Sequence, residues 1–117
     1  MKGLVIKKEW LDKILSSEKT WEIRSRNTNV RGRIALIQGG SGLVVGTSNL
    51  IECKGPLPET KFNNNFDKHQ VTPEVMNRFH YKKIYAWILD STTKLSIPRP
   101  YTHPNGAVVW VNLNFDI

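Results

Sequence analysis

Three side chains of complementary chemistry fall within one short run, Lys19-Thr20-Trp21-Glu22-Ile23-Arg24. A guanidinium is a planar fork that grips a phosphate or a base edge. An ammonium is a point charge, and a carboxylate accepts from an exocyclic amine. Trp21 and Ile23 alternate with Thr20, Glu22, Arg24 and Arg26, the period of a strand with one apolar and one charged face. Glu22 and Arg24 then lie two residues apart on one face, close enough to pair. Lys19, at the start of the strand, can bend toward the same cleft. Two readings stand: a cleft that binds phosphate or base, and a structural ion pair that orients the strand. Trp21 likewise reads either as core or as a ring on which an unpaired base stacks.

A second group lies in Pro98-Arg99-Pro100-Tyr101-Thr102-His103-Pro104, where the prolines impose an extended, irregular path. Exposed loop residues often bind ligands, so Tyr101 and His103 join Lys19, Trp21, Arg24 and Arg26 as candidate nucleic-acid contacts. His103 can serve as general acid or base in phosphodiester cleavage, with Lys19 or Arg24 stabilising charge on phosphorus. The alternative is a loop whose prolines merely fix its course. His69, His80 and Cys53 lack ligand spacing, so neither a metal site nor a cofactor is expected. Gln38-Gly39-Gly40-Ser41-Gly42 lacks the Gly-Lys-Ser/Thr ending of a phosphate loop. It reads as a hairpin turn whose amides can border a cleft.

The elements that must position these groups follow from pattern. Gly3 to Ile6 reads as a first strand. Trp10, Leu11, Ile14 and Leu15 give Lys8 to Ser17 the stripe of an amphipathic helix. Arg33 to Ile37 reads as a buried strand, and Leu43 to Cys53 as a long strand with a bulge at Gly46. Residues 55–72 turn polar and predict an ordered loop with one helical turn. Thr72 then caps a short helix that begins with Pro73 and ends near Phe79. Ile84 to Leu89 and Ala107 to Leu113 are the last strands. Five or so strands with a few helices predict an α+β domain around a curved sheet or small barrel.

The 117 residues are one domain's worth, read as a single unit over 1–117, with an ordinary 39% hydrophobic and 23% charged composition. One cysteine, no cleavable leader and no long apolar stretch point to a cytoplasmic protein without a membrane partner. Oligomeric state leaves no trace in the sequence. The net charge is +7, and residues 1–33 hold nine Lys and Arg against four acids. Such a surface either neutralises phosphates or serves solubility.

Leu4 to Leu15 followed by Lys19-Thr20-Trp21-Glu22-Ile23-Arg24 resembles the ASCH family, whose signature is Gly-x-Lys-x-x-Glu-x-Arg after a helix. Ser17 stands in the glycine place, while Lys19, Glu22 and Arg24 match. Gly32 to Ile37, Tyr85 to Leu89 and Pro98 to Pro104 resemble later parts of the family, and residues 55–80 match poorly. The resemblance implies a small PUA-like β-barrel of about five or six strands with flanking short helices. It also implies a cleft beside the signature strand for RNA or a modified nucleoside. Some similar proteins cleave RNA, some hydrolyse N4-acetylcytidine, and others are associated with transcriptional coactivators. The amidohydrolases carry Lys-x-x-Thr-x-Arg with a nucleophilic threonine. Here Glu22 occupies that place and Thr20 is offset by two, which makes Lys19, Glu22 and Thr20 the candidate catalytic residues, with Lys19 able to activate Thr20. The resulting expectation is an RNA or nucleoside binder centred on Lys19, Glu22 and Arg24. Its alternatives are a ribonuclease or amidohydrolase, and a protein-interaction module.

Overall fold

The structure is a computed structural model that describes residues 1–117. The chain begins with β1 (Lys2–Ile6), α1 (Lys8–Leu15) and β2 (Trp21–Arg24). It continues through β3 (Gly32–Gln38), β4 (Leu43–Lys54), α2 (Glu59–Asn63), α3 (Phe66–His69), α4 (Pro73–Phe79), β5 (Tyr85–Pro100) and β6 (Trp110–Asn112). The six strands form one sheet in the order β2-β5-β4-β3-β1-β6. Only the β1–β3 pair is parallel, with α1 and β2 lying between the two in sequence. This is the α+β, PUA-like arrangement: a sheet curled into a half-barrel, with four short helices. No helix is long and apolar enough to cross a membrane.

The apolar stripe of α1 closes one side of the curl. Leu11 and Ile14 pack with Leu4, Ile6, Ile34, Leu36, Leu50, Trp87 and Leu89 in the largest apolar cluster. A second cluster lies on the other face of β2 and β5, where Trp21, Ile23 and Ala86 meet Phe62, Val71 and Met76. Both faces of β2 are therefore covered. The alternation forecast from sequence is present, but Glu22, on the charged face, is as buried as its apolar neighbours. The cross-strand register pairs Glu22 with Trp87 and Ile23 with Ala86. Directly opposed residues share a face, so Glu22 projects with Trp87 toward the inside of the curl.

Three departures from the sequence reading have physical causes. Strand β5 runs on to Pro100 instead of stopping at Leu89. Strand β2 flanks only Tyr85 to Ile88, so the far half of β5 pairs with β4 alone and leaves an open edge. There the missing N–H of a proline breaks no ladder. Residues 55–72 hold two helical segments, α2 and α3, rather than one turn in a loop. The last strand is cut to Trp110–Asn112. Other expectations hold in detail. Register shifts in the β3–β4 and β4–β5 pairings flank Gly46, where a Cβ would lie 2.8 Å from the Thr93 carbonyl oxygen. Thr72 accepts a hydrogen bond from the Val75 amide and Pro73 opens α4.

Candidate functional site

The path of the chain into β2 decides what Lys19 can do. After α1, Ser17 adopts φ +66°, in the left-handed region that glycine occupies without cost. The glycine of the signature therefore has a backbone reason, which serine meets here under strain. The turn lets the Lys19 amide donate to the Lys13 carbonyl and sends the Lys19 side chain inward, where only 2% of the residue stays accessible. Its Nζ donates to the His69 carbonyl oxygen, lies 3.8 Å from Glu22 Oε1, and sits 5.1 Å from the centre of the Trp10 ring. Burial brings the Lys19 pKa down to about 8, against the pull of Glu22, which favours the charged form.

Glu22 divides its two oxygens between two tasks. Oε2 accepts from Arg24 Nε at 3.0 Å and from Arg24 Nη2 at 2.8 Å. Oε1 accepts no hydrogen bond; it faces the Lys19 ammonium at 3.8 Å, and Glu22 lines the adjoining cavity. Arg24 also donates to the Val5 carbonyl at 2.9 Å and lies 5.4 Å from the Trp87 ring centre. It thus links the sheet-edge strand β2 to β1, with which β2 shares no ladder. The Trp87 indole N–H holds the chain just past β2 to β5 by donating to the Arg26 carbonyl at 2.9 Å.

The cavity measures about 300 Å³. One wall is the signature strand with Lys19, Glu22 and Arg24, and Trp10 of α1 forms another. Val71, Phe79 and Tyr81, from and around α4, form a third, and Lys7, Gly39 and Val108 border it as well. The segment that resembles the family least therefore builds part of the cavity. It is held to β2 by backbone: the Thr20 amide donates to the Lys68 carbonyl, beside the bond from Lys19 to His69. His69 anchors this segment. Its Nδ1 accepts from the Val71 amide, so Nε2 carries the proton and donates to the Phe62 carbonyl, while the ring stacks on Phe62 at 4.0 Å. Burial lowers the His69 pKa, which suits this neutral tautomer.

Of the residues singled out from sequence, the structure brings Lys19, Glu22 and Arg24 together around the cavity. Arg26 borders a neighbouring pocket that shares Arg24 and Tyr81 with it. Trp21 is 4% exposed, inside the second apolar cluster, with the Lys68 and Lys54 ammonium groups 5.2 and 5.8 Å from its ring centre. Thr20 does not line the cavity, and its carbonyl accepts from the Leu89 amide. Tyr101 and His103 also lie outside its lining. His103 Nε2 donates to the Ala107 carbonyl at 2.8 Å, and Nδ1 accepts from the Tyr101 hydroxyl at 2.7 Å. The sequence reading missed Phe79 and Tyr81, and it placed Trp10 only in the apolar stripe of α1. The Phe79-His80-Tyr81 run at the end of a polar stretch was the available signal. No group of three or more His, Cys, Asp and Glu is placed to hold a metal.

A curled half-barrel with a charged strand beside its cavity defines a PUA-like class of domain. The chain belongs to the ASCH domain family, whose model matches residues 4–99. Among solved structures it is similar to a mutant of the ASCH protein from Zymomonas mobilis, with a TM-score of 0.72 at 16% identity, covering 95% of this chain and 87% of that one. It is also similar to a structure of ASCH from the same organism, at TM-score 0.65, 17% identity and coverages of 80% and 68%. A further mutant matches at 0.65 and 18%, over 86% and 73%. At these identities the likeness is one of fold. No curated protein matches the chain.

Proposed function

We propose that the cavity binds a single unpaired base of RNA, or a free nucleoside. The observation that carries this reading is the Glu22 carboxylate, whose Oε1 accepts no hydrogen bond, lining a cavity of about 300 Å³ with the rings of Trp10, Phe79 and Tyr81. A carboxylate oxygen of this kind accepts from an exocyclic amine or a ring N–H, and aromatic walls receive the flat faces of a base. The volume is at the lower end for small-ligand sites, which suits one base and not a duplex. Lys7, Lys19 and Arg24 give the site a surplus of positive charge over Glu22, which favours a ligand with phosphate attached.

The test is calorimetric titration of the common ribonucleosides and of single-stranded RNA into the wild type and Glu22→Gln. Saturable binding by the wild type, weakened about tenfold or more by the substitution, is the expected result, because a hydrogen bond to a charged acceptor contributes roughly 1.5–3 kcal/mol. Absence of saturable binding by every nucleoside and by RNA overturns the reading.

A second reading, hydrolysis, rests on Lys19. An amine with a pKa of about 8 exchanges its proton near neutrality, as acid–base catalysis on a phosphodiester or an amide requires. In that reading Lys19 works beside Glu22, since Thr20 does not line the cavity. End-labelled RNA that stays intact with the wild type on a denaturing gel counts against cleavage. Fragments that vanish with Lys19→Met support it.

A further inference from the structure

We infer that the site accepts two consecutive nucleotides, the second seated in the pocket between the end of β2 and β6; this rests on the base-binding reading above. That pocket measures about 440 Å³ and meets the first cavity at Arg24 and Tyr81, which line both. Two adjoining chambers with a shared arginine at their junction match the layout of a dinucleotide, in which one phosphate joins two bases. Arg24 already gives Nε and Nη2 to Glu22 and Nη2 to Val5. A guanidinium has five N–H donors in a fixed fork, so donors remain for the bridging phosphate.

The second pocket has its own means of holding a base. Trp110 is partly exposed and lines it, with its ring parallel to Trp87 at 9° and a centroid separation of 5.7 Å. Trp87 is 3% exposed and fixed by its bond to the Arg26 carbonyl. The stack therefore presents a rigid aromatic surface, on which a base stacks whatever its identity. Exposed Arg26, Ser25 and Asn27 line the pocket and no carboxylate does, so its field favours a nucleotide phosphate. The second position thus adds affinity and salt sensitivity, while the first cavity, through Glu22, selects the base.

The experiment compares the common ribonucleosides with the dinucleoside monophosphates made from them, by calorimetry on the full chain. The best dinucleotide should bind about tenfold more tightly than the best nucleoside, the gain of one stacked base. Trp110→Leu should abolish that gain and leave nucleoside affinity within about twofold, because Trp110 does not line the first cavity. Arg26→Gln should reduce the salt slope of dinucleotide binding. Nucleoside binding with no gain for any dinucleotide overturns the two-nucleotide site and leaves the base-binding reading standing. A gain that survives Trp110→Leu overturns it too. Failure of nucleosides and dinucleotides alike overturns both.

Discussion

Two polar clusters of this protein use similar chemistry in opposite settings. Around β2, Lys19 and Glu22 are almost fully buried and share their charge with Arg24. In the loop before β6, Tyr101 and His103 bond to one another, and His103 lies on the surface. Each hydrogen bond of the second cluster competes with water, so its loss costs little. The first cluster has left water behind, and removing one charge there strands the others. Side chains that look alike in sequence therefore differ mainly in what their removal leaves unpaired.

Glu22→Leu probes the contrast most strongly. It leaves two cations facing an apolar replacement and should cost about 4 kcal/mol in urea denaturation; a loss under about 1 kcal/mol would mean that the cluster is solvated after all. Next comes pH. Lys19 titrates near 8 in the folded protein and at 10.5 in its ordinary state. Between those values the unfolded chain keeps a proton that the folded chain has released. Stability should therefore rise with pH across that window, by about 3 kcal/mol relative to Lys19→Met, while below pH 8 the burden of the buried charge is constant. Equal slopes for the two proteins from pH 8 to 10 would contradict the burial of this charge.

Smaller effects sharpen the same comparison. Ser17→Gly relieves the left-handed backbone that delivers Lys19 to the cluster, and should raise stability by about 0.5–1 kcal/mol in thermal and urea melts. His103→Ala should change stability by about 0.5 kcal/mol or less, since both of its bonds are made at the surface. A larger loss would give the loop a structural role equal to that of the buried cluster.

Much of this was legible because it is local. The stripe of α1, the alternation of β2, the Thr72–Pro73 helix start and the bulge at Gly46 each follow from neighbours in sequence. The Lys19, Glu22 and Arg24 grouping was legible for the same reason. What escaped depends on distant partners. The burial of Glu22 is set by β5, α1 and the α2–α4 segment together. The extension of β5 through Pro98 is permitted by an edge that exists only because β2 is short. Trp21 and Trp10 show the limit most clearly. Both are tryptophans beside charged residues in sequence, yet Trp21 is enclosed by Phe62, Val71 and Met76 while Trp10 borders the cavity.

Arg24 carries a consequence for the history of such a chain. Through its bond to the Val5 carbonyl it fastens the edge strand β2 to β1, one strand in from the opposite edge, where no backbone ladder joins the two. One residue of the cavity wall is thus also the clasp of the half-barrel. A descendant whose cavity changed would still need Arg24 to hold β2 against β1, so that residue would outlast changes in the cavity. Its presence in a sequence reports how the half-barrel is shut, while the α4 region shapes the cavity beside it.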